Sequence, residues 1–153
     1  MNAVITSAPR LPAMAPEAID RVRCLENATL GLPQEDIPTA HLLHAGMYAR
    51  TIRIPAGVVL TGALIKLPTV LIVSGDCTVF IGEDEPMRLS GYHVLPASAG
   101  RKQAFLAHLD TDLTMLFPSR AQTVDEAEAE FTDENHLLLS RKQGNESITI
   151  TGE

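Results

Sequence analysis

The chain has no tryptophan, only 4% aromatic residues, and two cysteines in 153 residues. Without aromatic rings for bases to stack on, a platform for single-stranded nucleic acid is disfavoured. A formal net charge of −7 opposes a phosphate-backbone partner as well, since such proteins present a basic face. Basic residues cluster only as scattered pairs, Arg101-Lys102 and Arg141-Lys142. Cys24 and Cys77 fall in different expected elements, outside the Cys/His clusters that zinc requires. They read as two free thiols in a reducing compartment. No apolar run approaches the roughly 20 residues of a spanning helix, and the N-terminus lacks the charged and apolar regions of a secretory signal. The expectation is a soluble protein with no nucleic-acid and no membrane partner.

One further absence is local. From Gly57 to Gly75 there is no His, Asp, Glu or Cys, and Lys66 is the only charged side chain. What this stretch does contain is Val, Ile and Leu in short runs cut by Gly57, Gly62, Pro68 and Ser74-Gly75-Asp76. Such runs are strands, because β-branched side chains suit a pleated, half-buried surface. Gly75 supplies the positive φ of a tight turn there. Lys66 is expected to reach solvent from its strand rather than act as a buried nucleophile.

Strands continue on both sides. His41 to Ile54 begins the sheet, with a bulge near Thr51. Met87 to Ser90, His93 to Leu95, Gln103 to His108 and Asp112 to Phe117 follow it, with Pro96 to Lys102 as a loop. A small antiparallel barrel results, one domain over residues 17–131. Residues 1–16, with Pro9, Pro12 and Pro16, form an extended arm that is either a mobile terminus or lies on a neighbouring subunit, where Val4 and Ile5 offer apolar surface. Pro16 to Leu30 is helical, with Gly31 beyond its end and a stripe of Ile19, Val22, Leu25 and Leu30. Val124 to Phe131 is a short acidic helix capped by Thr123 with Glu126. The tail, residues 132–153, ends in the alternating strand Ser147 to Thr151, which needs an edge in its own barrel or a neighbour's.

Tyr48-Ala-Arg50, Ile54-Pro55-Ala56-Gly57, Gly62, Gly75, Pro96 to Arg101, Asp110-Thr111 and Asp125 to Glu130 occur in an order that resembles the cupin (RmlC-like) superfamily. The pattern is closest to small cupin-like proteins encoded by tailed bacteriophages and prophages. It covers roughly residues 35 to 131 and implies a mainly β, cupin-type antiparallel barrel, or jelly roll. Metal-binding cupins carry two His and one Glu in a first motif and one His in a second. The corresponding positions here hold Ala63, Ile65 and Pro68, then Gln103 or Phe117. None is a useful ligand, so the resemblance implies no metal and no cofactor.

Five histidines remain as candidates for chemistry. His41 and His44 stand three apart, a metal-sharing spacing on a helix but not at a strand start. His93 and His108, with Tyr48, Tyr92 and Asp110, supply the residue types of an acid–base site if either histidine faces the barrel interior. His136 carries no motif. Arg101 and Lys102 read as a solvated loop tip or an anion grip, and Glu83-Asp84-Glu85 as a solvated turn.

The leading expectation is a non-catalytic structural or interaction module. The phage-like resemblance implies a bacteriophage virion component (decoration, cement or tail-associated), self-associating as a homo-oligomer beside other virion proteins, in the virion or host cytoplasm. The alternative is a metal-independent enzyme or a small-molecule binder, for a sugar or small acid, that uses the barrel cavity.

Overall fold

Alternation of apolar and polar side chains builds one sheet with an inner and an outer face. The computed structural model describes residues 9–82, 85–138 and 145–153. Val4 and Ile5, Glu83-Asp84 and Arg141-Lys142 lie outside the described residues. The elements are α1 (Pro16–Leu30), β1 (Thr39–His44), β2 (Met47–Ile54), β3 (Val59–Thr61), β4 (Thr69–Phe80), β5 (Met87–Ala97), β6 (Ala104–Ala107), β7 (Thr111–Pro118), α2 (Val124–Phe131) and β8 (Glu146–Ile150). Among the described residues a 3₁₀ turn spans Asn135–Leu137. The eight strands form one sheet in the order β3-β6-β4-β7-β2-β1-β8, with β5 on the other side of β4. Every pair is antiparallel except β1 with β8. This is the mainly β, jelly-roll type of architecture expected, curled around one core, with a helix before it and a short one after.

The inner face of β4 and β7 carries Leu71, Val73, Cys77, Leu113, Met115 and Phe117, all buried. Tyr48, Phe117 and Phe131 close one end of the core as an aromatic triad, with centroids 5.4 to 6.3 Å apart. That geometry adds to simple burial. Burial also pushes the Cys77 thiol up to about 11, so it is an inert core group.

Several sequence expectations need correction. His41 to Ile54 does begin the sheet, but as a hairpin of β1 and β2: Ala45 and Gly46 both take positive φ, 52° and 69°. Two such residues make the turn that matches sheet twist, and alanine masks its signal. The register of β2 is unbroken through Thr51, so there is no bulge there. Ser74-Gly75-Asp76 is not a turn either. The strand runs straight through it to Phe80, although Gly75 does take a positive φ of 147°. The two pieces expected at Met87 to Ser90 and His93 to Leu95 are one strand, β5.

In α1, Val22 is buried and Ile19 packs beside it, but Leu25 and Leu30 are exposed, so the apolar stripe covers only the first half. In α2 the cap forms as expected: the Glu126 N–H donates to Thr123 Oγ1 at 3.2 Å. The reaching-back half of the box shifts by one, with Glu126 Oε2 accepting from the Gln122 N–H. Both ends of the described chain dock on the protein's own barrel. Leu11 is 0% exposed and bridges to Ala97, while β8 pairs with β1.

Candidate functional site

Where the inner face is not filled by side chains it leaves a cavity of about 160 Å³. Its floor comes from Thr39 of β1, Arg50 and Ile52 of β2, Leu71 of β4, and Leu113 and Met115 of β7. Glu26 of α1, Phe131 at the end of α2, and Glu134, Leu137 and Leu138 after it form the other wall. Ala63, Ile65 and Gln103, which the sequence resemblance sets against metal-ligand positions, also line it. Among the described residues no group of three or more His, Cys, Asp or Glu is arranged to hold a metal. The lining is mostly apolar with a few convergent polar groups, the usual make-up of a small-molecule site.

Arg101 and Lys102 are the main surprise. Neither is a solvated loop residue: Arg101 is 3% exposed and Lys102 is 0% exposed. Lys102 Nζ donates to Glu26 Oε2 (3.0 Å), Glu134 Oε2 (3.0 Å) and the Gly62 carbonyl (2.9 Å). That uses all three ammonium protons. Burial alone would raise the Glu134 carboxyl, but hydrogen bonds from Lys102, the Leu64 N–H and Arg23 hold it below its ordinary value. Arg101 has a different environment. Its Nη1 donates to the Ser98 carbonyl (2.7 Å) and its Nη2 to Thr69 Oγ1 (2.8 Å), both neutral acceptors. Burial lowers it to about 10, so it stays charged at neutral pH. Gln103 is 4% exposed, and its Nε2 has no partner among the described residues.

Behind the floor lies a buried polar network. Arg50 Nη1 donates to Glu128 Oε2 at 2.8 Å, and its guanidinium stands 5.7 Å from the Phe131 ring centre. Arg50 therefore shares the inner face with Ile52 and Ile54, as the two-residue period requires. His41 Nδ1 lies 2.7 Å from the Tyr48 hydroxyl. Burial pushes Tyr48 up to about 12, although Arg50, which hydrogen-bonds it, pulls the other way. Arg50 can only donate, so the Tyr48 proton goes to His41 Nδ1 and the imidazole carries its own proton on Nε2. That nitrogen is 3.3 Å from Glu146 Oε1 of β8, without hydrogen-bond alignment.

Burial, then Arg50, lowers the His41 pKa from its ordinary 6.5, against a smaller opposing pull from Glu146. The unfolded chain therefore binds this proton more readily, and stability rises with pH between the folded value and 6.5. Urea unfolding should show stability lost as pH falls below 6.5, and a His41→Gln variant should lose that portion of the slope. An unchanged slope in the variant would assign it elsewhere.

The other candidates scatter. His41 faces inward while His44 sits near Thr151, its Nδ1 2.6 Å from Thr151 Oγ1, so on β1 their spacing does not bring them together. His108 Nε2 is 2.7 Å from Thr78 Oγ1 and His93 Nε2 is 2.8 Å from the Ser90 carbonyl. Neither lines the cavity. Tyr92 is 69% exposed, His136 is exposed, and Asp110 accepts from the Ala56 N–H. Lys66 is exposed and pairs with Asp133 at 2.7 Å; it reaches solvent as expected, but from the segment between β3 and β4 and not from a strand. The acid–base grouping imagined around His93 or His108 is absent from the cavity wall. The histidine that does meet a tyrosine is His41.

No family model matches the sequence, and no curated protein matches it. Solved structures are similar. A cupin superfamily protein from Desulfitobacterium hafniense DCB-2 is 12% identical, with a TM-score of 0.47 over 57% of this chain and 82% of its own. An RmlC-like cupin family protein with a double-stranded β-helix fold, from Methanocaldococcus jannaschii, is 12% identical, with a TM-score of 0.46 over 56% and 83%. A cupin-2 domain containing protein from Shewanella frigidimarina NCIMB 400 is 13% identical, with a TM-score of 0.41 over 61% and 91%. No helix among the described residues is long and apolar enough to cross a membrane.

Proposed function

We propose that the protein binds a small organic molecule in the barrel cavity without a metal. The observation that carries this reading is the cavity itself: about 160 Å³ in the curled sheet, apolar in most of its wall, with Arg101 and Gln103 built into it at almost no solvent exposure. An apolar cavity of about 150 Å³ is large enough for benzene. Burying polar groups in such a wall is costly unless they acquire partners.

Native mass spectrometry of the protein mixed with a set of small organic fragments tests the reading. One bound fragment per subunit is expected, unchanged by EDTA and lost in an Ala63→Phe variant that fills the cavity. Fragments that bind the filled variant equally well would refute it. A self-associating structural role, such as a virion component, is the second reading. It is supported by the apolar side chains exposed on the sheet, Tyr92, Val94, Val70 and Leu42, and by Ile148 and Ile150 on the edge strand β8. The same spectra report subunit number, and a multimer that takes up no fragment would favour that role.

A further inference from the structure

We infer that the cavity selects a small monocarboxylate, received by the Arg101 guanidinium with the Gln103 amide contributing to the seat. This rests on the cavity reading above and adds the charge of the ligand to it.

The argument is one of charge pairing. Each carboxylate that lines the cavity already has its cation: Glu26 and Glu134 meet Lys102, and Glu134 also meets Arg23; Arg50, the other lining arginine, meets Glu128 behind the floor. Arg101 is the cation left over. Among the described residues it has no carboxylate within ion-pair distance, although the chain as a whole carries seven more acidic than basic residues. Its neutral acceptors, Ser98 O, Thr69 Oγ1 and more distantly Leu67 O at 3.5 Å, aim the group without neutralising it. They occupy at most three of the five guanidinium donors. The Nε–H and one Nη2–H have no partner among the described residues. A buried guanidinium without a counter-charge is expensive, and carboxylates are the groups its planar fork fits.

Gln103 supplies an independent observation. It stands two residues further along the same segment, which places it on the same side of extended backbone. It lines the cavity, is buried, and has an amide nitrogen with no partner. Lys102, between them, is already taken up by Glu26 and Glu134. One uncompensated charge calls for a monoanion. The remaining wall, with Ile52, Leu60, Leu71, Phe105, Leu113 and Met115, calls for an apolar body. From the cavity volume that body plus carboxylate amounts to about six to nine non-hydrogen atoms.

The experiment is an NMR titration of the full chain with two matched pairs, hexanoate with hexanamide and benzoate with benzamide, each pair alike in size and body but with a charged carboxylate against a neutral amide. The acids are expected to saturate and to bind about tenfold to a hundredfold more tightly than their amides, while shifting the Arg101 Nε–H resonance. In Arg101→Met the acids should fall to the affinity of the amides, which bind as before. Acids and amides binding the wild type equally, or acids binding without moving the Arg101 resonance, would overturn the inference and leave the cavity reading intact. Binding by neither series would overturn both. Should Arg101→Met fail to fold, the wild-type preference and the Arg101 resonance decide.

Discussion

Denaturant unfolding of a Lys102→Met variant is expected to show a loss of about 3–5 kcal/mol at neutral pH, the range for removing one partner from a buried ionic cluster. The ammonium is fully buried and holds two carboxylates and a carbonyl at 2.9 to 3.0 Å. These acceptors come from three places: Glu26 on α1, Gly62 beside β3, and Glu134 after α2. Lysine thus ties both helical segments to the strand region between them. Methionine fills most of the volume but leaves Glu26 and Glu134 facing one another across a desolvated gap. Their mutual repulsion should raise the Glu134 carboxyl, which in the wild type is held low. The sign follows from linkage. A depressed carboxyl stabilises above its ordinary 4.5, and that contribution disappears as pH falls through the folded value. The variant lacks this contribution, so the two proteins should converge in stability on acidification. Adding Glu134→Gln to Lys102→Met should recover part of the loss at neutral pH. A loss below about 1 kcal/mol would mean that Lys102 behaves as a surface pair.

The sheet was legible in the sequence because its signals are local. Alternation in Thr111–Pro118 and Glu146–Ile150 marks β7 and β8, and the Thr123 cap with Glu126 marks the start of α2. Errors arose where a local signal had two meanings. A glycine with positive φ reads as a turn, yet Gly75 lies within a strand. Alanine rarely adopts positive φ, so Ala45-Gly46 hid a hairpin. The site was harder to read because its contacts are distant in sequence. Lys102 finds Glu26 76 residues away and Glu134 32 residues away, and Arg50 finds Glu128 78 residues away. A dibasic pair after a glycine tip looks solvated until those partners fold around it. Gln103 was identifiable as a replaced ligand position by resemblance, but its orphaned nitrogen and its place beside a counterion-free arginine follow only from the packing.

The second large effect is expected at Gly75. A Cβ there would stand 2.6 Å from Thr111 Oγ1, 2.7 Å from the Asp110 carbonyl and 2.7 Å from Thr111 Cα. Two of these are backbone atoms, so no rotamer change relieves the contact. The close approach is itself stabilised: the Asp76 N–H donates to Thr111 Oγ1 at 3.1 Å, and the His108 N–H donates to the Asp76 carbonyl at 2.8 Å. It is where the β6–β7 connection passes beside β4, between the pairings that β6 and β7 make in succession along one edge of that strand, and thus part of what sets β7, with Leu113 and Met115, in the floor of the cavity. Gly91 offers the control, because it pairs with Gly75 across β4 and β5. It also has a positive φ, 89°, but open space where a Cβ would go. Gly91→Ala should therefore cost only the backbone strain, about 1–2 kcal/mol. Gly75→Ala should cost that strain plus the displacement of the adjoining β6–β7 connection, about 4 kcal/mol or more. Thermal unfolding of both variants separates the two contributions. If they lose the same stability, the β6–β7 connection is loose enough to yield, and Gly75 is present for its φ alone.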